Sequence, residues 1–533
     1  MAWLHRHECK GLQRYILHTN RLREIQGGSQ LIEQTRELLE KALSLGDFKA
    51  TIESAAAGAA NVLFPTEESA QAFQEAWPMI LARHAPGLQV VQGLVDDEND
   101  DALLELWRQL EADRSRLVAP LPEATPLAFR SPRTGLPGVA RRCVAETETP
   151  EGKEKQREWV DATVARKLDA FEAIDSNRTT DGMERLFELE REFRFVSDLD
   201  RLEASYVGVV HADGNQLGEL FRGLDRDARK ALSDALQQVT VNAARQSLSW
   251  LRGWMADEGI PLGPPRLQRG RRRDLPLRPV VLGGDDLTVI LRGDLALPFA
   301  SKYLRTFREL SQQSREIKEI QKDRDGASGL DACAGVVLVH SGHPFYRAHD
   351  LAEELCKFAK KSLRHAAGGR TPSGLAFHRV TNSLTDDYDD LRKNELGAEL
   401  APSSSSDSGP RYRFLTAGPY TLESVPGFHE LDRLDELVEK LDSEHVPLGP
   451  LRQAIDLMLS APDQARDELR RHDQVQRERG GLAERDWEAV KQVLQGMNCS
   501  WPDVFETFDE GQRTPLLDAL NWRRARATGV KEA

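Results

Sequence analysis

Apolar residues recur along this chain at two different periods. In "GLQRYILHTNRLREIQGGSQLIEQTRELLEKAL", Leu12, Tyr15, Thr19, Leu22 and Ile25 fall at three- and four-residue steps, which predicts helix. "AWLHRHE" before it reads as a strand. "KATIESAAAGAANVLFP" after it reads as two strands around a turn of small residues. Helical "EESAQAFQEAWPMILARH" and strand-like "LQVVQGLV" follow. The order β-α-β-β-α-β over residues 1–118 predicts a ferredoxin-like domain.

The same order returns downstream. "SYVGVVHADGNQLGELF" reads as a buried strand with a helix starting near Gly218, and a long amphipathic stretch runs to about residue 258. The hairpin "RPVVLGGDDLTVIL" comes next, then helical "FASKYLRTFRELSQQSREIKEIQ". Strand "DACAGVVLVH", helix "DLAEELCKFAKKSLRHA" and strand "GLAFHRV" complete a second unit, placed at 204–400. Between the units, residues up to 150 are Pro/Gly-rich and irregular, and 151–203 are charged and read as mostly helical, so 119–203 is expected to be a linker region. "APSSSSDSGP" marks 401–425 as a flexible linker. Residues 426–533 turn helical, with Leu431, Leu434, Val438 and Leu441 on one face of a small bundle. The fold class expected is α+β, with two ferredoxin-like domains, a helical linker region and a helical C-terminal domain.

Composition narrows the picture. The 533 residues, 40 % hydrophobic and 30 % charged, describe an ordinary globular chain. No apolar run approaches the ~18–20 residues of a membrane span, and the N-terminus lacks a signal-peptide core, so a cytoplasmic, membrane-free location is expected. The net charge of −14 argues against a coat of non-specific nucleic-acid contacts but allows a local basic groove. Cys9, Cys143, Cys333, Cys356 and Cys499 are scattered without a CxxC pair, so no structural zinc is expected.

The chemistry concentrates at two places. Asp213 ends an apolar strand, and Asp285 and Asp286 sit at the tip of an apolar hairpin. In the ferredoxin-like order that strand and that hairpin are neighbours, so the three carboxylates are expected to converge. Together they repel one another unless a cation neutralises them. Hard oxygen ligands of this kind suit Mg²⁺ or Mn²⁺. Gly283 and Gly284 allow a tight turn and a bulky ligand close to the backbone.

These residues resemble a family. "HADGNQLGELF", "VVLGGDDLTVILRGD", "ACAGVVLVHSGHPFYRAHDLAEELCKFAKK" and "GLAFHRV" look like the second palm domain of the large signalling subunit of type III CRISPR effector complexes. "LQRYILHTNRLREIQGGSQLIEQ" is similar to the opening of that family's first palm, and "AGPYTLES" to the segment before its helical C-terminal domain. The resemblance implies a degenerate first palm and a second, GGDD-bearing palm that converts ATP into cyclic oligoadenylate or a related nucleotide signal in antiviral defence. It implies Asp213, Asp285 and Asp286 as metal-binding and catalytic residues. Gly283, Gly284, Asn215, Gly218, Lys360 and, as understudy, Lys361 would bind nucleotide. Guide or target RNA and sister effector subunits are implied as partners. The alternative is a non-catalytic scaffold subunit that binds guide RNA and its sister subunits. A free-standing diguanylate-cyclase-like enzyme fits less well, because Leu287 follows two aspartates where an acid followed by Glu-Phe is usual.

The chain departs from the family pattern at Asn215, where a second acidic residue is common, and it shows no HD nuclease domain. His349–Asp350 and His472–Asp473 are chance pairs without further ligands. In the first unit "AAAGAANVLFP" offers Ala59, Ala60 and Asn61 where the second has GGDD, so its expected role is to close the nucleotide pocket. Arg266, Arg269, Arg271, Arg272, Arg273 and Arg278 form a candidate contact for RNA or triphosphates. His5, His7 and Cys9 alternate as residues of a strand near a palm edge, and His340 and His343 are candidates to line the pocket.

Overall fold

The computed structural model describes residues 2–19, 21–56, 58–97, 102–116, 125–149, 152–197, 202, 205–262, 272–321, 329–364, 366, 370–381, 387–400 and 411–528. In the first unit, strand β1 (Trp3–Lys10) leads into helices α1 (Leu12–Leu17), α2 (Leu22–Glu33) and α3 (Thr35–Leu45). Hairpin β2 (Thr51–Ala56) and β3 (Ala59–Phe64), helix α4 (Glu67–His84) and strand β4 (Gln89–Asp96) follow. The Thr66 side chain accepts the Ser69 N–H and so caps α4. The strands lie in the order β2-β3-β1-β4, the ferredoxin-like arrangement expected. β1 is therefore a central strand and not an edge. His5 and His7 are buried in the core against Phe73 and Trp77. Helix α5 (Ala102–Arg114) covers the opposite face through Leu106 and Leu110, which meet Leu4, Val91 and Val95.

The region between the units is not the linker expected. β5 (Ala140–Thr149) and β6 (Gly152–Val160) form a long antiparallel hairpin, followed by α6 (Ala162–Asp175), α7 (Gly182–Leu186) and the short β7 (Phe193–Phe195). Few apolar residues mark the hairpin. Val144 and Val160 are buried against Val164, Ala165 and Leu168 of α6, while Arg141 and Arg157 are exposed. With so little alternation to read, the sequence suggests coil and helix there.

The second unit starts with β8 (Tyr206–Gly214), α8 (Leu217–Phe221) and the long α9 (Arg226–Asp257). After β9 (Arg273–Leu275) come β10 (Leu277–Gly283) and β11 (Asp286–Arg292), then α10 (Ala296–Gln313), α11 (Arg315–Gln321) and β12 (Ala332–His340). The β-α-β-β-α-β set is complete at β12, earlier than the sequence suggests. Helix α12 (Phe345–Leu363) and β13 (Gly374–Arg379) are an extension, and the sheet runs β10-β11-β8-β12-β13-β16, where β16 is Tyr420–Thr421. Both units thus add a helix to the bare face of the sheet, α5 in the first and α12 in the second.

One face of this sheet packs on α9 and α10 through Val210, Ala212, Leu287, Val289 and Leu291. The other face, with Val207, Val209, Val280, Ile290 and Val337, shares a core with α12 and with α1 and α2 of the first unit. Ser29 of α2 donates to the Val280 carbonyl at 3.0 Å. The units are joined through apolar surface rather than by a tether.

Helix α12 comes close to the sheet because residue 335 is glycine. A Cβ there would lie 1.8 Å from the Ala352 carbonyl oxygen. Gly335→Ala is expected to push α12 outward and lower stability by about 1–3 kcal/mol, as overpacking does. A lower urea midpoint than that of the unsubstituted chain checks this; an unchanged midpoint contradicts it.

The second unit and the segment after it also differ from the boundaries expected. After α13 (Tyr388–Asn394), β14 (Gly397–Leu400) leaves the palm sheet and pairs with β15 (Arg411–Phe414). Of the flexible linker expected at 401–425, residues 401–410 lie outside the described residues, and 411–414 and 420–421 are strands. The C-terminal part is helical, with α14 (Leu431–Leu441), α15 (Leu448–Met458), α16 (Pro462–Arg479), α17 (Gly481–Gly496) and α18 (Leu516–Thr528). It also carries β17 (Glu506–Phe508) and β18 (Gly511–Arg513), which complete a sheet in the order β14-β15-β18-β17. Asp518 of α18 accepts the Tyr420 hydroxyl at 2.6 Å and the Ala417 N–H at 2.9 Å, which ties "AGPYTLES" to the last helix. Among the described residues, no helix is long and apolar enough to cross a membrane.

Candidate metal and nucleotide site

The GGDD hairpin turns through Gly284 and Asp285, between the paired residues Gly283 and Asp286. Gly284 has φ +62°, which an L side chain rarely adopts, and this is the reason for glycine at the tip. Helix α9 holds that tip from below. Gln237 Oε1 accepts the Gly284 N–H, and the Thr240 hydroxyl donates to the Gly284 carbonyl at 2.7 Å. Both backbone groups of one turn residue are thereby fixed, three positions apart on one helix face.

The central strand β8 brings Asp213 to the same place. Leu287 pairs with Ala212, so the next step of the register sets Asp286 opposite Asp213. Asp213, Asp285 and Asp286 each offer an oxygen, and the three atoms lie within 4.8 Å of one another. Among the described residues no other group of three or more His, Cys, Asp or Glu side chains is placed to share an ion.

The electrostatics follow from this crowding. Burial, then the hydrogen bond with Asp213 and the charges of Asp213 and Asp286, push Asp285 up to about 8. Burial and the Asp213 charge push Asp286 up to about 6. Burial acts on Asp213 in the same sense, but the hydrogen bond from Asp285 and the Lys360 ammonium outweigh it, and its carboxyl ends below the usual value. A neutral Asp285 therefore donates to an ionised Asp213. Lys360 of α12 donates to the Asp213 carboxylate and, at 2.7 Å, to the Gly214 carbonyl. One ammonium faces three carboxyl groups, and the donor set is all hard oxygen, as a Mg²⁺ or Mn²⁺ site requires.

Other expected residues are placed differently. Lys361 is exposed, turned roughly 100° around the helix from Lys360, and is not brought to the site. Asn215 is buried, and its amide donates to the Thr371 and Pro372 carbonyls at 3.0 and 3.3 Å. It clamps the end of β8 to the segment before β13. Gly218 lies in α8 with open space where a Cβ would stand. His340 pairs with Tyr206, whereas Cys333 pairs with Asp213, so His340 and the adjoining His343 are at the opposite end of the sheet from the carboxylates.

Arg278 is not a phosphate contact. It is fully buried and paired with Asp181 at 2.6 Å, and Arg272 binds Glu184 at 2.6 Å. Arg273 lies over the Phe193 ring, and Arg266, Arg269 and Arg271 fall outside the described residues. His349 sits beside His211 and Thr288 beneath the site, and Asp473 accepts from Trp487 and Lys491, so both HD pairs have packing roles.

Sequence reasoning missed three features. Gln237 and Thr240 are polar residues on the buried stripe of α9, which was the available signal. Glu353, one turn of α12 before Cys356, adds a negative charge that acts on Asp286. The third lies in the first unit, where Glu8 pairs with Ala59 as Asp213 stands opposite Asp286. Glu8 is bound by Arg114 of α5, just as Asp213 is bound by Lys360 of α12. The first unit thus keeps the strand carboxylate and its cation but has Gly58 and Ala59 in place of the hairpin acids.

A cavity of about 520 Å³ separates the two hairpins. Gly284, Leu282 and Gln237 line it from the second unit, and Arg6, Ser54 and Asn61 from the first. The degenerate hairpin therefore walls a space that opens beside the GGDD tip.

Known proteins resemble this chain in part and as a whole. Residues 206–367 match the family model described as Cas10/Cmr2, second palm domain. No curated protein matches the chain. A crystal structure of a Csm1–Csm4 cassette in complex with cA4 shares 13 % identity over 99 % of this chain and 70 % of that one, at a TM-score of 0.45. That of Csm1 in T. onnurineus shares 14 % identity over 100 % of this chain and 70 % of that one, also at 0.45. The family model lies over every strand and helix that brings in Asp213, Asp285, Asp286 and Lys360, so it is residues 206–367 that match a second palm domain of the Cas10/Cmr2 family.

Proposed function

We propose that this chain is a CRISPR-associated nucleotidyltransferase of the type III kind, which converts ATP into cyclic oligoadenylate or a related nucleotide signal. The observation that carries the proposal is the meeting of Asp213, Asp285 and Asp286 within 4.8 Å inside a Cas10/Cmr2 palm. Asp213, Asp285 and Asp286 would hold divalent metal. Bound Mg²⁺ or Mn²⁺ supplies the charge that activates a ribose 3′-hydroxyl and offsets charge gained at the α-phosphate as pyrophosphate leaves. Lys360 keeps a fixed positive charge at the rim, suited to triphosphate oxygens once it releases Asp213. Gln237 and Thr240 hold the hairpin tip, so the carboxylates need little rearrangement to bind. The cavity between the hairpins is in the size range of small-molecule pockets, about 300–1,000 Å³, and it reaches the hairpin tip at Gly284.

Incubating the purified chain with radiolabelled ATP and Mn²⁺, with and without RNA and candidate sister subunits, tests this reading. Mass spectrometry of oligoadenylate products supports it. No product under any condition, with small RNA and partner subunits recovered on the chain, would select the scaffold reading instead.

A further inference from the structure

The first unit carries a second cavity, of about 330 Å³, at the end of β1 where the chain enters α1. It is lined by Lys10, Arg14 and His18 on one flank, with Tyr15, Gln89 and Thr163 around them. Lys10 ends β1, Arg14 lies in α1 and His18 follows it, so the passage from strand to helix brings three basic side chains to one cavity. No carboxylate lines the cavity among the described residues, in a chain whose net charge is −14.

Tyr15 is 7 % exposed and forms part of the cavity wall. Behind the Tyr15 ring lies a fourth cation, Lys167, whose ammonium is 4.5 Å from the ring centre and donates to the carbonyls of Tyr15 and Ile16. Asp161, which caps α6, is already engaged. It accepts the Thr163 and Val164 N–H groups at the start of α6 and the Thr134 hydroxyl. Lys10 donates to the Arg114 carbonyl, and neither Lys10 nor Arg14 makes an ion pair among the described residues.

We infer that this cavity binds a phosphate-bearing ligand, separately from the carboxylate site. Arg14 and Lys10 supply the charge. The phosphate belongs either to a free nucleotide or to an RNA strand, and the chemistry of recognition is shared by both.

The experiment uses the full chain in EDTA, so that no metal–nucleotide complex forms at the palm, with pyrophosphate as the calorimetric probe. Saturable binding is expected, weakened at least tenfold by Arg14→Gln and by Lys10→Gln. Circular dichroism confirms that each variant is folded. Competition then identifies the source: displacement by ATP indicates a nucleotide, and displacement by a short single-stranded RNA but not by ATP indicates a strand. Absence of saturable binding overturns the inference, as does binding that is indifferent to both Arg14→Gln and Lys10→Gln in folded protein.

Discussion

Asp285→Asn is expected to lower nucleotide product by roughly a hundredfold or more and, in metal-free buffer at pH 8, to raise the thermal midpoint. The loss follows from removing a charged oxygen from the trio; deletion of a single preorganised charge-stabilising group typically costs ~10²–10³ in rate. The gain in stability has a separate cause. Asp285 has a folded pKa of about 8 against an ordinary 3.8. The folded state therefore binds more protons than the unfolded state between those values, and stability falls as pH rises through that window. Asparagine cannot ionise and escapes that loss. The midpoint difference between variant and parent should be larger at pH 8 than at pH 5, and metal should shrink it by neutralising the parent. Asp213→Asn should behave differently. It removes the carboxylate to which Lys360 is hydrogen-bonded and leaves that ammonium bonded to the Gly214 carbonyl only, so no comparable stabilisation is expected at any pH. Differential scanning fluorimetry across pH, run beside the product assay, separates the two. An Asp285→Asn variant that keeps full activity would remove the metal site from the proposal.

The trio is legible in the sequence because carboxylates at the ends of apolar strands are costly and conspicuous. The apolar period also reveals that the β-α-β-β-α-β order occurs twice, and the order places the first strand beside the hairpin. What the sequence conceals has particular causes. Arg278 reads as one of a basic run, but its burial depends on Asp181, nearly a hundred positions earlier, which supplies the counter-charge. Lys360 and Lys361 are chemically alike, and the orientation of α12 on Gly335 decides which one faces Asp213. Among the described side chains of β5 and β6, Val144 and Val160 are buried, and the few apolar residues of these strands alternate too sparsely to read. β14 and β15 are four residues each and are completed by β18 from the far end of the chain. Such short strands exist only through long-range pairing, which a local pattern does not contain.

Metal affinity should depend steeply on pH, and this second large effect distinguishes a metal site from a mere cluster of acids. Ligand carboxyls must lose their protons before they bind a cation, so binding competes with protonation. With Asp285 at about 8 and Asp286 at about 6, one proton leaves on binding between pH 6 and 8, and two leave below pH 6. Mn²⁺ affinity should then rise about tenfold per pH unit from 6 to 8, more steeply below 6, and level off above 8. Lys360 stays protonated across this range, because the Asp213 charge and hydrogen bond outweigh burial and raise its pKa, so it contributes no slope of its own. Asp285→Asn should abolish the segment between 6 and 8 and weaken binding at its upper end, whereas Asp286→Asn should leave that segment and remove the extra steepness below 6. Free Mn²⁺ followed by electron paramagnetic resonance at each pH measures the curve directly. Calorimetry in buffers of different ionisation enthalpy counts the protons released. Affinity that stays flat from pH 6 to 8, or no proton release at pH 7, would mean that the three carboxyls do not bind the ion together.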